Sequence, residues 1–120
     1  MILLTEDLRE RLLYNGRASD ADHVPLVRFF NPVGAGTWLA TELDEDGDTL
    51  FGLADLGFGC PELGSFSLSE LQSVRLAFDM TIERDLLFVG RLPISAYADA
   101  ARATGSIPEG ERFLHAASQG

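Results

Sequence analysis

Four acidic residues crowd the five-residue run DEDGD, as Asp44, Glu45, Asp46 and Asp48, and Asp55 follows shortly after. Carboxylates at such spacing can hold a divalent cation. Asp44, Asp46 and Asp48 alternate like the first three ligands of a calcium loop, and Asp55 stands at the twelfth position. That loop requires glycine at its sixth position, where this chain has Thr49. The run also reads as a link between strands and not between helices. A solvated, acidic hairpin tip is therefore the expected reading, and no metal site is assigned.

A second cluster is Glu83-Arg84-Asp85. On a strand, alternation puts Glu83 and Asp85 on one face and Arg84 on the other. Two neighbouring carboxylates can drive their pKa values apart and divide acid and base duties. If the chain is an enzyme, Glu42, Glu83 and Asp85 are its candidate catalytic set, as in a small carboxylate-based or metal-dependent hydrolase. The plainer reading is structural: Arg84 pairs with Glu42, Glu62 or Glu70 across a sheet. Nothing supplies a nucleophile. The glycines in GAG (34–36) and GLADLGFG (52–59) lack phosphate-loop spacing, and there is no lysine. His23 and His115 have no neighbour at metal-ligand spacing. Cys60, beside Pro61, reads as a small buried apolar group. Phe29, Phe30, Trp38, Phe51, Phe58, Phe66 and Phe88 read as core. Trp38, sharing a strand face with Ala40 and Glu42, is also a candidate to line a groove. No catalytic residue and no cofactor are assigned. The candidate binding set is Trp38, Glu42, Asp44, Glu45, Asp46, Asp48, Glu62 and Arg84.

The bulk properties narrow the classes. In 120 residues, 19 Asp and Glu face 9 basic residues, all arginine, for a net charge of −10. Such a balance opposes direct binding to nucleic acid or anionic lipid, which needs basic side chains, and permits attraction to a basic protein. With 46% apolar and 23% charged residues the chain reads as one globular domain. The single cysteine excludes an internal disulfide. MILLTEDLRERLL does not read as a signal peptide, and no apolar run reaches the roughly 18 residues of a membrane span. A cytoplasmic protein is expected.

The elements that must position these residues follow from local pattern. Thr5 caps a helix over 6–14 that Asn15-Gly16 ends. Strands are expected at 26–30, 37–43 and 49–56, the last two joined as a hairpin by Asp46-Gly47. A short strand at 65–68 runs into a helix whose capping box is Ser67 with Glu70. That helix turns Leu71 and Val74 inward, with Phe78 just beyond. A last strand is expected over 81–89, then a helix from Ser95 to Gly105 and another from Pro108 to Ala117. Short links favour antiparallel pairing. The expected fold is α+β, a small antiparallel sheet of four to five strands with helices on one face.

RFFNPVGAGTWLATE, DTLFGLADLG, ELGSFSLSEL and IERDLLF together resemble the small bacterial domain of unknown function 2958, over roughly 2–92. Members typically carry an aromatic where Ser65 stands and a glycine-containing loop near Asp79-Met80. The resemblance implies a division into residues 1–92, the family-like domain, and 93–120, a C-terminal helical extension packed on it. It also implies the company of plasmids and integrative elements, often among counter-defence genes. It implies no catalytic residues.

The expected function is a non-enzymatic acidic interaction protein of a mobile genetic element, an anti-restriction or anti-CRISPR type of inhibitor. Its partner would be a basic or nucleic-acid-binding protein. The alternatives are the hydrolase above and a homo-oligomeric accessory protein whose strand at 26–30 pairs between copies.

Overall fold

The computed structural model describes residues 2–119; Met1 and Gly120, within the expected domain bounds, lie outside the described residues. Helix α1 (Glu6–Gly16) starts where Thr5 Oγ1 accepts the Leu8 N–H at 3.2 Å, with Glu6 and Asp7 in its first turn. Negative charge there suits the helix dipole. Strands β1 (Val27–Phe30), β2 (Thr37–Leu43), β3 (Thr49–Asp55) and β4 (Glu62–Ser67) follow, then helix α2 (Leu68–Ser73). A 3₁₀ turn (Ala77–Asp79), strand β5 (Glu83–Arg84) and helices α3 (Ile94–Thr104) and α4 (Ile107–Gln119) complete the chain.

The five strands form one antiparallel sheet in the order β4-β3-β2-β1-β5, and the fold is α+β. The helices do not keep to one face as expected. Trp38 and Ala40 pack with Val27, Phe29, Leu50, Leu12 of α1 and Leu68 and Leu71 of α2. Their neighbour Leu39 points the other way, joining Leu53, Ile94, Tyr97, Ala98, Ala101 and Ile107. Successive strand residues face opposite sides, so a strand buried at every position needs two covers. All seven residues of β2 are buried, which is the reason for the second layer.

A β-bulge at Thr41 breaks the alternation of β2. Ala40 opposes Gly52, and Glu42, two residues on, already opposes Phe51. Glu42 therefore turns to the α3–α4 face while Trp38 and Ala40 stay with α1, correcting the expected Trp38–Ala40–Glu42 face. Trp38 is a core residue. Strand β1 is also not an edge: it pairs with β2 on one side and β5 on the other. β5 pairs over two residues, not the nine expected, because the chain turns at Asp85, whose Oδ1 accepts the Leu87 N–H at 3.0 Å. Phe78 does not join the core. It is 88% exposed and, with Asp79, sits at positive φ, in the loop where the resemblance implies glycine.

Candidate functional site

The carboxylates of the β2–β3 hairpin gather at one end of the sheet. Gly47 takes φ +74° at the turn, its N–H bonds the Asp44 carbonyl at 3.0 Å, and its own carbonyl accepts from Arg9 at 3.1 Å. Asp46 folds back on the loop. Its Oδ1 accepts the N–H groups of Asp48 and Thr49, both at 2.8 Å, and its Oδ2 accepts the Thr49 hydroxyl at 2.6 Å. Asp48 reaches to α2, accepting the Ser67 hydroxyl and the Ser69 N–H, each at 2.7 Å. Ser67 Oγ in turn accepts the Glu70 N–H at 3.2 Å, the cap read from sequence. α2 thus starts under two side-chain caps.

These bonds set the electrostatics. The Thr49 hydroxyl, then the Thr49 and Asp48 N–H groups, hold the Asp46 carboxyl below its ordinary value. The Ser67 hydroxyl first, then Ser69, does the same for Asp48. Donors that favour the ionised form keep both charged. Asp44, Glu45 and Asp46 are exposed, as is Glu70 in the first turn of α2. The arginines lie elsewhere or are occupied. Arg11 pairs with Asp7, Arg102 with Asp99, Arg112 with Glu109, and Arg28 with Glu111 and Asp85. Arg75 bonds the Gln72 and Val74 carbonyls beyond α2. Arg9 does reach the hairpin, but it bonds a carbonyl and neutralises no carboxylate. The result is a group of negative charges, with Asp46 and Asp48 held in place, that has no arginine in an ion pair with it among the described residues.

The other predicted residues are dispersed. Glu62 pairs with Ala54 while the hairpin end of β4 is Ser67 opposite Thr49. Ser67 is five positions along the strand from Glu62, roughly 17 Å at the usual rise. Arg84 does not meet Glu42, Glu62 or Glu70. It stands on the far edge strand and donates to the Ile2 and Leu3 carbonyls at 2.9 Å, fastening the N-terminal segment to the sheet. The ion pair expected of the 83–85 triplet comes instead from Asp85, 3.7 Å from Arg28. Glu83 pairs in register with Phe30, near Thr37, whereas Glu42 lies five residues further along β2. That is roughly 15 Å along the strand direction, so the sheet does not bring Glu42 to Glu83 and Asp85. Glu42 is buried, and burial raises its carboxyl pKa against a smaller lowering pull from His23. Cys60 is exposed in the β3–β4 loop and is not the buried group expected. His115 is exposed on α4.

Sequence reasoning missed a polar cluster on the α3–α4 face. Arg28 on β1 donates to both Glu111 oxygens of α4 at 3.0–3.1 Å. Buried Asp55, at the end of β3, accepts the Ile107 N–H at 2.9 Å and so caps α4. Asp22 takes the Ser95 N–H and hydroxyl at the start of α3. A cavity of about 440 Å³ opens beside this cluster, walled by Asn31, Gly36, Thr37 and Gly57. Its walls come from NPVGAGT and DLG, two of the segments that carry the family resemblance. Pairs separated by 52 to 83 residues leave no local signal.

Among the described residues no group of three His, Cys, Asp or Glu side chains is arranged to hold a metal ion, and no helix is long and apolar enough to cross a membrane. No curated protein matches this chain, and no solved structure does. A family model described as a protein of unknown function, DUF2958, matches residues 3–108, which takes in the sheet, α1, α2, α3 and the start of α4. The chain belongs to the DUF2958 family.

Proposed function

We propose that this chain is a non-enzymatic interaction protein whose acidic hairpin end occupies a basic site on a partner protein. The observation that supports it most is the exposed acidic group of Asp44, Glu45 and Asp46 at the hairpin with Glu70 on α2, in which Asp46 is braced on Thr49 and with which no arginine forms an ion pair among the described residues. Charges fixed in place before contact lose little freedom on binding, and a one-signed patch speeds encounter with an opposite one. Carboxylates so held can stand where nucleic-acid phosphates would. The setting implied by the family resemblance, plasmids and integrative elements, makes a nucleic-acid-binding effector of host defence the kind of partner proposed.

The test is capture of a partner from a bacterial host lysate, followed by competition. Duplex DNA should displace the partner from the wild-type chain. The Asp44→Asn/Glu45→Gln variant should capture at least tenfold less of it. Capture that neither DNA nor the double variant affects would contradict the proposal.

A further inference from the structure

A groove of about 370 Å³ runs between α4 and the irregular segment 86–92. This volume falls within the range of roughly 300–1,000 Å³ typical of small-molecule sites. Its walls mix apolar side chains, Phe88, Leu92, Tyr97 and Leu114, with polar ones. On α4 it is lined by Glu111, Leu114, His115 and Ser118, the i, i+3, i+4, i+7 stripe of one helix face.

The wall opposite α4 is pinned at several points. Asp85, itself paired with Arg28, accepts the Leu87 N–H at 3.0 Å. The Arg91 N–H donates to the Tyr97 hydroxyl at 3.2 Å, and the Ile94 N–H to the His23 carbonyl at 2.8 Å. Gly90 passes so near Pro25 that a Cβ there would lie 2.1 Å from its carbonyl oxygen. These contacts hold Leu87, 91% exposed, out at the groove mouth. Leu86, Leu87 and Val89 are exposed together here, and adjoining exposed apolar side chains mark an interaction surface.

The lining carries one arginine, Arg91, and one acid, Glu111. Arg28 takes up that carboxylate through three close contacts. The Arg91 guanidinium has no acidic partner among the described residues. In a chain of net charge −10, a groove with apolar walls and an arginine free of ion pairs at its rim is complementary to an amphipathic anion. A hydrocarbon body would be removed from water on the apolar lining, and a carboxylate matches the planar fork of arginine. We infer that this groove binds a small amphipathic carboxylate, its apolar body against Phe88, Leu92 and Leu114 and its head group on Arg91. The site is separate from the acidic hairpin and does not depend on its proposed role.

The test is an NMR titration of the full ¹⁵N-labelled chain with three ten-carbon probes below their micelle concentrations: decanoate, decanol and decyltrimethylammonium. Decanoate should give saturable shifts confined to 86–92, Tyr97 and the lining face of α4. It should bind at least tenfold more tightly than decanol, and the cationic probe should not saturate. Arg91→Ala should bring decanoate to the level of decanol, and Ser118→Trp should abolish binding by filling the groove. Equal affinity for decanoate and decanol in the wild-type chain, shifts outside the groove, or no saturation would overturn the inference. So would a concentration-dependent dimer broken by Ser118→Trp, which assigns the groove to a second copy.

Discussion

The acidic hairpin and the apolar groove are held in place by different means. At the hairpin, Asp46 and Asp48 satisfy donors no more than 21 residues away, and the loop, β4 and α2 form one local unit. At the groove, the walls meet only because Arg28 reaches Glu111, 83 residues along the chain, and Asp85 on the opposite flank. The first region needs only its own segment to be correct. The second exists only when the whole sheet and α4 are assembled. A local brace suits a charged surface that must stay presented, and a long-range one suits a concave surface with two walls.

The comparison can be broken most severely at Arg28. Arg28→Ala leaves Glu111 and Asp85, both partly buried, without their cation. A loss of about 2–3 kcal/mol is expected in urea unfolding, since an orphaned charge costs more than a pair contributes. Hydrogen exchange should quicken across 85–92 and α4 and stay unchanged in the hairpin. Loss of protection in both regions alike would mean that they are not separate units.

Ser67→Ala strikes the other region and costs less. It removes the hydroxyl that caps Glu70 and donates to Asp48. About 1 kcal/mol is expected from the lost cap, with faster exchange in α2 and none added in α4.

Titration separates the buried acid from the exposed ones by sign. Asp46 and Asp48 have lowered folded values, so their stabilisation is complete above the ordinary aspartate value of about 3.9 and fades as pH falls through the folded values. Asp46→Asn should flatten the acid limb of the urea midpoint. Glu42 has a raised folded value, so the fold loses stability as pH rises through it. Glu42→Gln should therefore be more stable than wild type near pH 7, with the advantage vanishing below the ordinary glutamate value of about 4.3. A Glu42→Gln variant less stable at pH 7 would show that the charged form makes a favourable contact.

The smallest stability effect is expected from Asp44→Asn/Glu45→Gln. Both side chains are exposed and bond nothing through their carboxylates among the described residues. The change should stay within about 0.5 kcal/mol, which makes this pair the clean probe of binding.

How much was legible in sequence follows the same division. Thr5, Asp46-Gly47, Ser67 and Gly105 act on neighbours in the chain, and α1, the β2–β3 hairpin, α2 and the end of α3 stand where those residues place them. The face of Glu42 was misread because one extra residue, Thr41, reverses the alternation, and no residue type announces a bulge. Arg84 was given carboxylate partners that the strand order puts across the sheet; the order itself rests on long-range pairing. The second helical layer had only a partial signal, the consecutive apolar residues Trp38, Leu39 and Ala40 in TWLATEL, which do not alternate as a sheet with one wet face would require. The groove had no sequence signal, because Leu86 and Leu87 look like strand residues until Asp85 turns the chain.

The claim that the acidic end is a docking face is tested most directly by the association rate with the captured partner, measured from low to high salt for wild type and Asp44→Asn/Glu45→Gln. The account predicts a rate that falls steeply with salt for wild type and a slower, markedly flatter dependence for the double variant. Identical rates and slopes for the two proteins would contradict it.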